Sequence, residues 1–291
     1  MTRNEFSGWC AAGVRLLDGA TGTNMAKVGL PRGVCTEAWI AEHPEPLLQL
    51  QRAYVEAGSQ IIYAPTFGAN RDSLARFGLE GELAALNRTL VELSKQAANG
   101  RAMVAGDLTT TGKPVTDDPA DYEARIALYR EQALALADVG VELFAVETMM
   151  GVSETMAAVE AIRSVSDLPV LCTLSLQSDG KAYFDGSGEE AAAAVEALGA
   201  DAVGVNCSAG PDQLESVVAM MRRACGLPIV AKPNAGLPVI DDKTGEAHYS
   251  MDETAFARHM AKLHQAGATI LGGCCGTTPA YIRALRTVFP K

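Results

Sequence analysis

Three cysteines stand where a chain could use them for chemistry. Cys207 follows Val203-Gly204-Val205-Asn206, and the pair Cys274-Cys275 follows Ile270-Leu271-Gly272-Gly273. Each apolar run reads as a short buried strand, and each leads on into a helix-like segment. If the two strands lie close in one sheet, three thiols converge on one point. Three thiolates make a soft site suited to Zn²⁺ and leave one of its four tetrahedral positions open for chemistry. A lone free cysteine usually packs as a small apolar residue. An adjacent pair between glycines, matched by a third cysteine at an equivalent strand end, favours a metal over packing.

Other chemistry-bearing residues follow the same kind of strand. Asp18 ends Val14-Arg15-Leu16-Leu17 and opens the turn Gly19-Ala20-Thr21-Gly22-Thr23. The backbone N–H groups of Gly19 and Ala20 in that turn suit a carboxylate. The turn is not a nucleotide P-loop, because no lysine follows in register. Thr66, Asp107, Glu147, Asn206 and Asn234 also fall at or near strand ends. Asp18 and Glu147 together suit an ammonium group, and the amide oxygen of Asn234 suits the fourth metal position, from which a substrate would displace it. Thr66 and Asn206 complete the expected substrate-binding set. Asp107 fits a loop cap as well as a substrate contact.

The elements that must position these residues alternate regularly. Strands are expected near residues 14–17, 61–64, 102–107, 143–148, 170–175, 202–206, 228–232 and 269–271, with helices between them. A weak repeat supports the division. Ala57-Gly58-Ser59-Gln60, Val139-Gly140-Val141-Glu142, Leu198-Gly199-Ala200-Asp201 and Ala266-Gly267-Ala268-Thr269 precede strands two, four, six and eight. In each, a helix stops at glycine, two residues turn, and a strand begins. Eight strand–helix alternations with continuously apolar strands predict an α/β protein, a single (β/α)₈ TIM barrel over residues 1–291. An open doubly wound sheet is the alternative. In a barrel the strand ends named above share one face, the face that carries active sites.

Composition narrows the function. Twenty-four Lys and Arg against 35 Asp and Glu give a net charge of −11, which argues against nucleic acid or an anionic membrane as partner. No apolar run reaches the roughly 18 residues of a membrane span, and the N-terminus lacks signal-peptide character. Seven cysteines without small-scaffold spacing predict no disulfide framework, which fits a reducing cytoplasm. Zinc hydrolases favour His and carboxylate ligands, and the chain has four histidines. A thiol-binding zinc module without catalysis is a further alternative.

The chain resembles the homocysteine S-methyltransferase family. The matching segments are Leu17-Asp18-Gly19-Ala20-Thr21-Gly22-Thr23, Thr66-Phe67-Gly68-Ala69-Asn70, Glu147-Thr148, Gly204-Val205-Asn206-Cys207 and Gly272-Gly273-Cys274-Cys275-Gly276-Thr277-Thr278-Pro279. The resemblance implies a (β/α)₈ barrel with zinc held by Cys207, Cys274 and Cys275. It also implies homocysteine bound through Asp18, Glu147 and the backbone near Gly19. Lys232-Pro233-Asn234-Ala235-Gly236 and the Thr66–Asn70 segment are more similar to the homocysteine module of the cobalamin-dependent methionine synthase branch than to the betaine or S-methylmethionine branches. That likeness implies a separate methylcorrinoid (methylcobalamin) protein as donor and partner, with betaine, S-methylmethionine or another acceptor thiol as alternatives.

Overall fold

A computed structural model describes residues 1–240 and 247–290. Eight parallel strands form the central sheet: β1 (Arg15–Leu16), β2 (Ile61–Tyr63), β3 (Met103–Thr109), β4 (Leu143–Met149), β5 (Val170–Leu174), β6 (Ala202–Asn206), β7 (Ile229–Lys232) and β10 (Ala268–Leu271). Between the last two, β8 (Pro238–Ile240) and β9 (Ala247–Tyr249) pair as an antiparallel hairpin. The order β1-β10-β7-β6-β5-β4-β3-β2 leaves only the seam between β1 and β2. Gln60 closes it: its N–H donates to Leu16 O at 2.7 Å, and its Oε1 accepts from Leu16 N at 3.1 Å. The result is the expected (β/α)₈ barrel.

All eight expected strands are present. The repeated helix-stop is real: Gly58, Gly140, Gly199 and Gly267 all take positive φ, a conformation open to glycine at little cost. The helices ahead of them include Pro44–Ala57 and the 21-residue Pro119–Val139. The latter starts at Pro119, because Asp118 caps it by accepting from Ala120 N–H at 2.9 Å.

The hydrophobic core has two layers. Between strands and helices pack Phe144, Val146, Ile162, Met221 and Phe256. Inside the barrel lie Leu17, Ile61, Tyr63, Ala105, Leu143, Ala145, Ala202, Val230 and Ile270. Phe6 and Cys10 join this inner set from the helix Arg3–Ala11, which plugs the N-terminal end of the barrel. That helix starts with a capping box. Thr2 Oγ1 accepts from Glu5 N at 3.3 Å, and Glu5 Oε2 accepts from Thr2 N at 2.7 Å. With the bottom filled, the opposite end is free to form a pocket.

Candidate active site

Side chains alternate in and out along a strand. Since Ala105, Ala145, Ala202 and Val230 face inward, the residue two further on does so too: Asp107, Glu147 and Lys232, with Gly204 and then Asn206 on β6. Together with Asp18 they crown the inner core at the C-terminal ends of the strands. A cavity of about 290 Å³ opens there, lined by Asp18, Asp107, Glu147, Lys232 and the three cysteines, among others. A larger groove of about 1020 Å³ lies at the other end, beside Arg3 and Asp201, whose side chains pair with each other at 2.8 Å. Its lining holds none of the three clustered thiols.

The thiols converge as expected. The Sγ atoms of Cys207, Cys274 and Cys275 all lie within 4.8 Å of one another, and Cys207 and Cys275 are 3.6 Å apart. Thiolates on one tetrahedral zinc stand about 3.8 Å apart, given Zn–S bonds of about 2.3 Å. The backbone sets this up. Cys207 N donates to Lys232 O at 3.4 Å, and Cys274 N donates to Pro233 O at 2.7 Å. A Cβ on Gly272 would lie 2.8 Å from Leu17 Cβ and 2.9 Å from Asp18 O, so only glycine lets the β10 end pass so close to the β1 end. Hydrogen bonds from Cys207 and Cys274 lower the Cys275 thiol to about 3, while contacts with Cys274 and then Cys275 drive Cys207 upward. The cluster shares protons because three thiolates cannot crowd together without a cation. A soft divalent cation resolves that conflict, and the donor set fits zinc.

Asn234 and Asn206 differ in role. Asn234 Oδ1 is buried with no hydrogen-bond partner, although the neighbouring Ala235 N donates to Cys275 O at 2.9 Å. An orphaned amide oxygen beside a thiol cluster suits the fourth metal position. Asn206, fully buried, links the site to β4: its Oδ1 accepts from Thr148 N at 3.1 Å, and its Nδ2 donates to Thr148 Oγ1 at 2.7 Å and lies 4.0 Å from Cys274 Sγ. Thr148 (φ 59°) and Cys207 (φ 51°) both sit in the left-handed region, and Asn206 braces the first beside the second. Thr66 is held by the backbone of β3. Its hydroxyl donates to Asp107 O at 2.8 Å and accepts from Asp107 N at 3.0 Å. In the turn after β1, Ala20 N donates to Thr277 Oγ1 at 3.1 Å, so of the two N–H groups expected to meet a carboxylate this one is already engaged.

Lys232 was not among the expected site residues, yet it organises the pocket. Its Nζ lies 2.8 Å from Glu147 Oε1, 3.7 Å from Asp18 Oδ1 and 4.6 Å from the centre of the Tyr63 ring. The two acids expected to hold a ligand ammonium therefore already face one from the protein. Burial opposes the charge on Lys232, but Glu147 and Asp18 outweigh it and hold the pKa well above its usual value. Burial raises Asp18 to about 7 despite Lys232 and the 2.8 Å hydrogen bond from Tyr63 N. Burial also raises Glu147, offset in part by Lys232. Asp107 is raised well above the usual range, first by burial and then by Glu147. Three buried acids share one ammonium.

Known proteins agree with this geometry. The sequence model of the family described as homocysteine S-methyltransferase matches residues 15–289. The chain belongs to that family. It is 30% identical over 283 residues to the methionine synthase of Mycobacterium tuberculosis, covering 91% of this chain and 24% of that protein. The Mycobacterium leprae methionine synthase is 29% identical over the same length, 23% of it covered. The chain thus spans about a quarter of the length of these curated relatives. Among solved structures, the Escherichia coli homocysteine methyltransferase MmuM in its metallated form superposes with a TM-score of 0.81 at 25% identity, covering 95% of this chain and 96% of that one. Among the described residues, no helix is long and apolar enough to cross a membrane. All seven cysteines are free.

Proposed function

We propose that residues 1–291 act as one barrel that methylates homocysteine to methionine, with zinc held by Cys207, Cys274 and Cys275. The observation that carries this reading is the meeting of three thiols with an acid-rich cavity at the C-terminal face of the barrel. Zinc bound there would lower the acceptor thiol's pKa and present it as a thiolate. The protein's own residues do the rest. The thiol cluster fixes where the acceptor sulfur sits. Asn234 would help to hold the metal through its unpartnered Oδ1 when no acceptor is bound. Three buried carboxylates against one ammonium suit a ligand that brings a positive group, as an amino acid does. Methyl transfer forms the acceptor S–CH₃ bond and breaks the bond between methyl and donor, and the thiol proton leaves to solvent. Likeness to methionine synthases supports a methylcorrinoid protein as the donor, entering over the open mouth of the barrel. The seven free thiols suit a reducing cytoplasm.

A second donor reading rests on structural likeness. The barrel superposes on the E. coli homocysteine methyltransferase MmuM with a TM-score of 0.81, which supports a small soluble donor such as S-methylmethionine or betaine as the alternative. One assay separates these. Zinc-loaded protein with homocysteine is given methylcobalamin, S-methylmethionine or betaine, and methionine is measured. The expected result is turnover with one donor class that is lost in Cys207→Ser. Absence of methionine with all three, or unimpaired turnover in Cys207→Ser, overturns the assignment.

A further inference from the structure

We infer that Asn206 and Thr148 are positioning residues that fix the span between the thiol cluster and Glu147, and that this fixed span selects homocysteine over cysteine, its homologue shorter by one methylene. This deepens the homocysteine reading and rests on it.

The sheet alone does not hold the end of β4. That strand pairs with β5 through Val146 and Cys172, and next through Met149 and Leu174, so three steps along β4 match two along β5. Glu147 and Thr148 fall in this bulge, and a bulge beside a site re-aims the side chains it carries. On the β3 side Glu147 is tethered, because it pairs with Thr109 and its carbonyl accepts from Thr109 Oγ1 at 2.8 Å. On the β5 side the tether comes from β6, one strand further round. The buried Asn206 amide accepts from Thr148 N at 3.1 Å and donates to Thr148 Oγ1 at 2.7 Å, and its Nδ2 lies 4.0 Å from Cys274 Sγ. Thr148 follows Glu147 in the chain, and Cys207 follows Asn206. Both followers take positive φ, 59° and 51°. For a β-branched threonine that conformation is costly and persists only where its surroundings enforce it. One amide therefore ties the turn that carries Glu147 to the turn that carries Cys207 and to the sulfur of Cys274. Asparagine suits the task because a single short side chain offers both an acceptor and a donor. An acceptor amino acid would be gripped at its sulfur by the cysteines and at its ammonium by the acid set that includes Glu147. A rigid span between the two grips reads the number of carbons that separate them. Cysteine carries the same groups too close together to meet both.

The test compares homocysteine with cysteine by calorimetric binding to zinc-loaded protein, with zinc measured in each sample. Wild type should prefer homocysteine by roughly 10–200-fold, the range for one methylene in a fitted pocket. Thr148→Val removes the hydroxyl but keeps the shape, and it should bring the two affinities close together while zinc content stays unchanged. Thr148→Ser keeps the hydroxyl and should keep the preference. Asn206→Ala should lower the preference as Thr148→Val does, and the double variant should lower it no further, because the two side chains act as one link. A merely structural defect would weaken both thiols alike and leave their ratio intact, so an unchanged ratio in Thr148→Val overturns the inference. Losses that add in the double variant overturn the pairing of Asn206 with Thr148. A wild type that binds homocysteine and cysteine equally overturns the inference alone. A wild type that binds neither thiol overturns the homocysteine reading itself.

Discussion

Lys232 Nζ lies 2.8 Å from Glu147 Oε1 inside the barrel mouth, with both side chains more than nine-tenths buried. Removing one partner of a buried pair leaves an uncompensated charge, a loss of about 3–5 kcal/mol. Lys232→Met should therefore melt well below wild type. Without the ammonium, Glu147 and Asp18 rise further in pKa. An acid whose folded pKa is raised takes stability away as pH climbs past its unfolded value, so the loss should be larger at pH 8 than at pH 5. Glu147→Gln added to Lys232→Met should recover part of it. Thermal melts of the two variants at both pH values check this, and a Lys232→Met melt equal to wild type at pH 8 would sink it.

The metal ligands are separable from the other cysteines. Cys172 is fully buried and Cys10 is 3% exposed; burial first of all pushes both thiols up to about 12, so both stay protonated and inert. Cys35 and Cys225 are raised by burial as well. Elemental analysis of reduced protein should give one zinc per chain, kept when any of these four is replaced by alanine. The Cys207→Ser, Cys274→Ser double variant should hold almost none. Full occupancy in the double variant rules out the proposed site.

How much of this was legible beforehand can be seen at particular residues. The eight strands were readable because each is a short apolar run, and the glycine stops at Gly58, Gly140, Gly199 and Gly267 marked four of the starts. The thiol cluster was readable because its cysteines stand next to those strands. Lys232 was not, since a lysine ending an apolar run looks like a strand meeting water. What buries it are Asp18 and Glu147, far away in the chain and brought close only by barrel closure. The alternation of β7 held a usable signal: with Val230 inside, Lys232 must also face in. The first helix was also missed, although Thr2 and Glu5 have the spacing of a capping box. Thr66 and Asn206 share strand ends with the site, but that Thr66 braces the Asp107 backbone and that Asn206 links Thr148 to Cys274 is a choice that local sequence does not encode.

Loss of metal should leave the fold standing. The inner and outer cores run the length of the barrel, and Gln60 closes it without help from the thiols. Small metal-dependent folds behave differently because their metal supplies the folding energy. Chelation should abolish methyl transfer while the far-ultraviolet circular dichroism spectrum changes little. A chelated sample that unfolds globally would show that the cysteine cluster is structural.

Asp107 should weaken the fold increasingly as pH rises. Burial, followed by repulsion from Glu147, holds its folded pKa well above the ordinary carboxylate range. In the unfolded chain it titrates near ~3.9. Below that value both states carry the proton, and Asp107 costs nothing. As pH rises past it, the unfolded chain releases its proton while the folded one does not, so stability falls with increasing pH. Asp107→Asn removes that dependence and keeps nearly the same shape. The variant should be more resistant to urea than wild type at pH 8.5, with the gap narrowing at pH 5.5, because less of the penalty has yet developed there. A carboxyl retained against stability is what a ligand-binding group looks like. Urea midpoints at the two pH values decide the matter: a variant weaker than wild type by the same amount at both would mean that Asp107 has an internal partner and is structural.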